Sequence, residues 1–326
     1  MNTAAQPAQT GPHAIEVETV AKRFGRVVAL DGVDLAVPQG SVFALLGPNG
    51  AGKSTLIDIL CTISRPDSGQ ARVGGYDVVK NPRAVRNEIG VVFQTATLDT
   101  RLTVRENLAF HAAVYHMTAS AGRRRTTEML ELADLTDRAD AVVGTLSSGM
   151  RRRLEIARAM MHEPSILFLD EPTVGLDAPS RARLWSFIDT MRRTTGLTVV
   201  VTTHYIEEVE GCDLVSIIDH GTILATGSPA ELKSDHGKTL VRLTPRDDET
   251  RTAIMEAYPS AKPGVDGQIL LTLEHNENPE AVLSRFGSEL RQISVDQPSL
   301  ESVFLSLTGR EIGGAPAQGR KGRANG

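Results

Sequence analysis

The chain has 326 residues, a prior of roughly two domains at about 150 residues each. It carries 35 basic against 40 acidic side chains, a formal charge of −5, which excludes the basic excess usual in a nucleic-acid-binding domain. Hydrophobic residues make up 40%. That excludes global disorder, and with 8 Phe, 4 Tyr and 1 Trp the core has to be aliphatic. The strongest apolar runs, residues 165–169 and 197–201, fall far short of the ~20 residues of a membrane-spanning helix. No charged-then-apolar stretch opens the sequence, and Cys61 and Cys212 are too few for a disulfide scaffold or a CxxC metal site. A globular cytoplasmic protein with two unpaired thiols is expected.

Residues 1–13 are rich in Ala, Gln, Thr and Pro without periodicity and read as a disordered lead-in. Residues 41–46 form a short apolar strand that runs into a glycine-rich turn, and 53–62 continue as a helix. Residues 89–93 are a second strand. From about 102 to 161 only helical spacing occurs, as in Leu108, Ala112 and Tyr115, so this stretch is a helical insert. Strands return at 165–169, 197–202 and 214–219, with a helix at 181–194. Strands alternating with helices give an α/β fold with a mostly parallel sheet.

A second unit begins near Gly237. Its order is strand 240–243, helix 248–258, strands 262–265 and 269–273, helix 279–286, strand 290–295 and helix 300–307. That is a βαββαβ pattern with an extra helix, a small α+β (ferredoxin-like) domain, and an interaction or regulatory module is expected. Residues 309–326 set Arg310, Arg320, Lys321 and Arg323 against Glu311 and read as a flexible basic tail. The expected domains are therefore 14–236, with a helical part at about 95–161, and 237–308.

The strongest chemical signal is Gly47-Pro48-Asn49-Gly50-Ala51-Gly52-Lys53-Ser54-Thr55, a match to GxxxxGK[ST] between a strand and a helix. Glycines let backbone N–H groups turn inward at a helix N-terminus, where phosphates bind. Lys53 would reach the β- and γ-phosphates and Ser54 would ligate Mg²⁺. The second signal is the apolar strand that ends in Asp170-Glu171. Asp170 is placed to serve the Mg²⁺ shell, and Glu171, one residue on, to polarise an attacking water.

Leu146-Ser147-Ser148-Gly149-Met150, followed by a helix at 151–161, resembles the ABC signature. Gln94 falls where that family's Q-loop glutamine lies, Val174-Gly175-Leu176-Asp177 resembles its D-loop, and His204 resembles its switch histidine. These motifs stand in the family's order, and the chain is identified as resembling an ABC transporter ATP-binding subunit. The resemblance implies a P-loop NTPase fold with an antiparallel β subdomain and a helical insert. It also implies a head-to-tail homodimer with ATP between one P-loop and the partner's signature. Ser147 and the Gly149 N–H would contact the γ-phosphate across that interface, and His204 would hold it beside Glu171. Gln94 would touch Mg²⁺ and the attacking water, and Phe24 would stack on adenine, although a lone Phe is more often core.

Two positions depart from the family's LSGGQ: Ser148 replaces a glycine and Met150 the glutamine. Ser148 requires the loop to avoid positive φ there, and Met150 has only packing to offer. Arg151–153 read as the signature helix surface, with one of them able to screen phosphate charge, and Arg123–125 as a solvated helix face. His111, His116 and His162 have no second ligand at metal spacing.

Without membrane spans, transport needs a separate permease, and the family docks it on the helical insert. Gln297-Pro298-Ser299-Leu300-Glu301-Ser302-Val303-Phe304-Leu305 and the residues to Gly309 resemble the C-terminus of daunorubicin-resistance-type ATPases. That implies an exporter of a drug- or antibiotic-like compound, peripheral on the inner face of the cell membrane and with no nucleic-acid partner. The rival is a soluble ABC ATPase acting on ribosomes or DNA. It is disfavoured by the single set of motifs and by the lack of a long coiled-coil insert, and a GTPase by the absence of NKxD.

Overall fold

Two long antiparallel strands, β1 (His13–Phe24) and β2 (Val27–Pro38), come first among the described residues. The computed structural model describes residues 12–95, 97–264, 267–273, 279–296 and 298–309. Of the expected lead-in, His13 already belongs to β1 and residues 1–11 lie outside the described ones; so do 310–326 of the expected tail. Next come β3 (Val42–Leu46), α1 (Lys53–Leu60), β4 (Ser68–Val73), β5 (Tyr76–Asp77) and α2 (Pro82–Glu88). One antiparallel sheet has the order β2-β1-β4-β5.

The chain continues through β6 (Ile89–Val92) into the helical insert of α3 (Val104–Val114), α4 (Ala119–Leu132) and α5 (Ser148–Ala159). A capping box starts α3: Thr103 accepts from the Glu106 N–H while the Glu106 carboxylate accepts from the Thr103 N–H. Beyond the insert lie β7 (Ile166–Asp170), α6 (Ala178–Thr195), β8 (Thr198–Thr203), α7 (Ile206–Val209), β9 (Leu214–Asp219) and β10 (Thr222–Gly227). The central sheet has the order β10-β9-β3-β8-β7-β6. Its pairs are parallel except β10 with β9. Every residue of β3, β7, β8 and β9 is buried, as parallel strands covered on both faces must be. Ile15, Leu30, Phe43, Leu56, Ile59 and Phe168 share one core cluster that joins the two sheets and α1.

The parallel order decides where the chemistry falls. In parallel strands all C-terminal ends lie along one edge, and the turns there form the ligand crevice of open α/β sheets. β3, β8, β7 and β6 are consecutive neighbours, with Leu46 opposite Thr203, Thr202 opposite Asp170, and Leu169 opposite Val92. Four segments far apart in sequence therefore leave the sheet side by side.

Gly47 is the first residue past β3, and a Cβ there would lie 2.3 Å from the Ile218 carbonyl oxygen. No side chain fits. Gly47→Ala is expected to cost about 1–3 kcal/mol by overpacking, read as a lowered thermal unfolding midpoint, and to lower ATP affinity with it.

The chain divides into two units, Met1–Pro229 and Ala230–Gly326. The division falls at the start of α8 (Pro229–His236), whereas the expected boundary at residue 237 falls just after that helix. The second unit holds β11 (Thr239–Pro245), α9 (Asp248–Ala257), β12 (Lys262–Pro263), β13 (Ile269–Leu273), α10 (Pro279–Phe286), β14 (Leu290–Asp296) and α11 (Leu300–Thr308). Its sheet order, β12-β13-β11-β14, is antiparallel throughout, the arrangement of a ferredoxin-like βαββαβ unit. Val241, Ile254, Leu271, Val282 and Phe286 pack one core, and Leu305 of α11 packs on Leu240 and Leu270. Residue 265, expected in the strand at 262–265, and Gln297 lie outside the described residues.

Candidate functional site

The turn after β3 holds the residues expected to form a P-loop, Gly47, Pro48, Asn49, Gly50, Ala51 and Gly52. Gly52 caps α1 with φ +111° and no side-chain cap, so the first-turn N–H groups that include Ser54 and Thr55 are open to an anion. A Cβ on Gly52 would sit 2.6 Å from the Ala29 carbonyl oxygen. Lys53 is buried and donates to the carbonyls of Gly47 at 2.7 Å and Pro48 at 3.2 Å. Its Nζ is 3.9 Å from Glu171 Oε1. Burial pushes the Lys53 ammonium below the ordinary lysine range, while Glu171 and Asp170 pull it back up.

Asp170 ends β7 and accepts a hydrogen bond from Thr202 Oγ1 of β8. Glu171 follows in the left-handed region at φ +46°, a conformation that costs a non-glycine residue of order 1–3 kcal/mol. The surroundings hold it there: its N–H donates to Thr202 O and Oγ1, both at 3.1 Å. The Glu171 carboxylate, 10% exposed, meets His204 Nδ1 at 3.0 Å through Oε1. Through Oε2 it accepts from Gln94 Nε2 at 3.1 Å. A carboxylate only accepts, so the His204 tautomer with hydrogen on Nδ1 makes this bond. Lys53, Gln94, Asp170, Glu171 and His204 are thus brought together. The oxygen donors Ser54, Asp170 and Gln94 are of the hard type that suits Mg²⁺.

The signature segment lies at the start of α5. Ser147 is its N-cap and accepts from the Met150 N–H at 3.2 Å, while Leu146 is buried beneath it. Ser148 is the first helical residue, so the extra Cβ relative to glycine meets ordinary helical backbone. A Cβ on Gly149 would lie 2.9 Å from Ser180 Oγ. Ser147, Gly149, Met150, Arg153, Ser180, Arg183 and Asp134 line a groove of about 280 Å³. Met150 is half-buried along that groove. Met150→Gln is expected to change steady-state ATP hydrolysis less than about threefold, since such partly exposed swaps cost within about 0.5 kcal/mol.

Asp177 caps α6 by accepting from the Ser180 N–H at 3.0 Å, and that pairing holds its carboxyl below the usual range. Phe24 is 55% exposed at the end of β1, with Lys22 Nζ 5.4 Å from its ring centroid. It is not a core side chain. An exposed ring beside a cation is free to stack on a flat ligand.

Two charges, one buried and one half-buried, escaped the sequence reading. Arg152 is buried, not on the helix surface as expected of Arg151–153. Its Nε donates to Pro172 O, Nη1 to Phe93 O and Glu155, and Nη2 to the carbonyls of Asp170 and Glu171. Glu208 accepts from Thr173 Oγ1 and, at 2.6 Å, from Thr203 Oγ1, tying the segment after Glu171 to the one before His204. No local pattern marks either residue. Arg125, expected on a solvated face, is also largely covered and donates to Glu128 and to Met160 O.

A glycine-rich GxxxxGK[ST] turn after β3, an acidic pair at the end of β7 two strands away on the same sheet edge, and a polar cluster around Glu171 define a P-loop nucleoside triphosphatase. The family model described as ABC transporter matches residues 30–174. The chain is 40% identical over 306 residues to the daunorubicin resistance ATP-binding protein DrrA3 of Streptomyces coeruleorubidus, covering 91% of this chain and 96% of that one. It is 38% identical over 301 residues to the Nod factor export ATP-binding protein I of Rhizobium sp. (strain N33), covering 92% and 98%. Among solved structures, cbiO1 from Clostridium perfringens, part of the ABC transporter complex cbiONQ, matches with a TM-score of 0.65. Identity there is 29%, over 68% of this chain and 91% of that one. The dimeric post-hydrolysis ATP-binding cassette MJ0796, bound to ADP and Pi, matches with a TM-score of 0.59 at 27% identity, over 66% and 98%. This chain belongs to the ABC transporter family, as one of its ATP-binding and ATP-hydrolysing subunits. Within that family it is similar to the drug-resistance ATP-binding proteins over nearly its whole length.

Proposed function

We propose that the chain powers efflux of a hydrophobic or amphiphilic, antibiotic-like compound through a separate membrane permease, from the inner face of the cell membrane. The observation that carries the hydrolytic part is the Glu171 carboxylate held between His204 and Gln94 with Lys53 beside it. On this reading the residues 47–55 turn cradles the phosphates, Lys53 pairs with them, and Phe24 stacks on the adenine. Glu171 orients and deprotonates the attacking water, Gln94 steadies that water, and His204 keeps the carboxylate and γ-phosphate in register. Ser54, Asp170 and Gln94 would hold Mg²⁺, which neutralises phosphate charge when bound.

The working unit on this reading is a head-to-tail homodimer, in which Ser147 and the Gly149 N–H meet nucleotide bound to the partner's P-loop. The dimeric cassette among the structural neighbours and the exposure of Ser147 at the N-terminus of α5 support it. The cargo class rests on the names of the relatives, which speak of daunorubicin resistance and Nod factor export. No helix of the described residues is long and apolar enough to cross a membrane, so the pathway is assigned to a partner chain. On α3, Phe110 and Val114 stand exposed one turn apart, an apolar surface suited to such a partner.

The test is affinity purification of the tagged full chain from detergent-solubilised membranes. Recovery of a stoichiometric multispan membrane protein supports the reading. Recovery with ribosomes or DNA, or of the chain alone, overturns it.

A further inference from the structure

The signature helix α5 does more in this chain than present Ser147 and Gly149. From its second turn onward it sends three side chains, at 152, 155 and 158, toward the glutamine loop and the acidic pair. Arg152 is 8% exposed and Glu155 5%, and they pair at 2.9 Å. The guanidinium then bridges two further segments. Nη1 donates to Phe93 O at 2.8 Å, immediately before Gln94. Nη2 donates to Asp170 O at 3.1 Å and Glu171 O at 3.4 Å, and Nε to Pro172 O at 2.9 Å. On the far side of Gln94, Glu155 Oε1 accepts from the Thr97 N–H at 3.0 Å and Arg158 Nη1 donates to Thr97 O at 2.8 Å.

The glutamine loop is thus gripped on both flanks by one helix. The same guanidinium that grips one flank also holds the backbone of Glu171 in its left-handed conformation. A planar fork with five donors can do this and a lysine cannot, because the acceptors face it from different directions. Burying an arginine is costly unless nearly all its donors are used, and here Nε, Nη1 and Nη2 are all engaged. A helix that only packed against the sheet would need apolar side chains at 152 and 155.

We propose that Arg152, braced by Glu155, is a positioning residue for ATP hydrolysis. It fixes Glu171 and Gln94 relative to each other and makes both move as one body with the start of α5, where Ser147 and Gly149 lie. Whatever nucleotide contact that segment makes is then felt at the carboxylate of the same chain. This rests on the catalytic reading of Glu171 and Gln94 given above.

The experiment compares Arg152→Lys, Arg152→Gln and Glu171→Gln with the parent in the full-length chain. Phosphate release is measured against MgATP concentration, and nucleotide affinity and stoichiometry by a fluorescent ATP analogue. Rates are expressed per nucleotide-binding chain, so that a misfolded fraction does not enter. Arg152→Lys is expected to lower kcat about tenfold while nucleotide affinity stays within about twofold, because displacing a reacting group by under an ångström costs rate rather than binding. Arg152→Gln is expected to lose more, and where that variant does not fold the lysine variant alone decides. A merely structural arginine would lower the unfolding temperature and leave kcat per binding-competent chain unchanged. That result with Arg152→Lys, beside an inactive Glu171→Gln, overturns this proposal and leaves the role of Glu171 standing. Near-normal turnover in Glu171→Gln removes the reading on which the proposal rests.

Discussion

Glu171→Gln is expected to lower ATP turnover by roughly 10²-fold or more while leaving ATP binding intact, the span attributed to loss of a positioned general base. The replacement keeps the volume and one of the two accepting oxygens of a side chain that sits between His204 Nδ1 and Gln94 Nε2, the other end becoming an NH2 donor. What it removes is the ability to take a proton. Neither the capping geometry of α1 nor the Lys53 bonds to Gly47 O and Pro48 O involve the Glu171 side chain, so the backbone of the phosphate cradle is untouched. Removing a negative charge 3.9 Å from Lys53 favours the polyphosphate further, since the lysine is then shared with one competitor fewer. ATP-loaded chains that cannot hydrolyse should accumulate as dimers. Phosphate release and size-exclusion chromatography in MgATP read both effects; near-normal phosphate release would remove Glu171 from the catalytic role.

Lys53→Ala is expected to act at the earlier step, weakening ATP binding by at least about thirtyfold. Truncating one partner of a buried, hydrogen-bonded charge pair costs on the order of 2–5 kcal/mol, and the phosphates would lose such a partner. Burial has already stripped water from this ammonium and pushed its pKa down, so little further desolvation is needed when phosphates arrive. Its present bonds to Gly47 O and Pro48 O keep it at the loop rather than in solvent. Titration calorimetry with ATP measures the loss directly. An affinity within threefold of the parent would show that the backbone amides alone carry the phosphates. The two variants separate cleanly: one binds and does not turn over, the other fails to bind.

The site was legible to different depths. Residues 47–55 and the pair Asp170-Glu171 could be read from local pattern, because a phosphate loop and an acid-tipped buried strand each need contiguous residue types. Gln94, His204 and Phe24 are single residues without such a neighbourhood, and only the family resemblance marked them. Arg152 was misread as surface because a run of three arginines looks solvated. Its partners, Phe93, Asp170, Glu171 and Pro172, are scattered along the chain, and no local window contains them. Glu208 is the same case, since Thr173 and Thr203 meet it only after β7 and β8 are paired.

The strands show the same divide. β3, β7, β8 and β9 are wholly buried and betray themselves as apolar runs. β1 and β2 escape a reading by alternation, since β1 is interrupted by register shifts and by Thr19 at φ +46°. The βαββαβ order of the second unit was readable, because each element has its own period and its turns are marked.

Length, charge and short motifs pointed to a two-domain chain with a GxxxxGK[ST] turn between a strand and a helix, since those are properties of composition and of residues adjacent in sequence. The mildly acidic balance remains, but the cation that matters is one buried lysine in a turn of backbone amides. Tertiary structure alone decided that Glu171 stands in a left-handed turn between His204 and Gln94, and that a buried arginine from the signature helix holds it there. The reason is physical: parallel neighbours place the ends of distant strands on one edge, and the desolvation of a charge is set by what packs around it after folding.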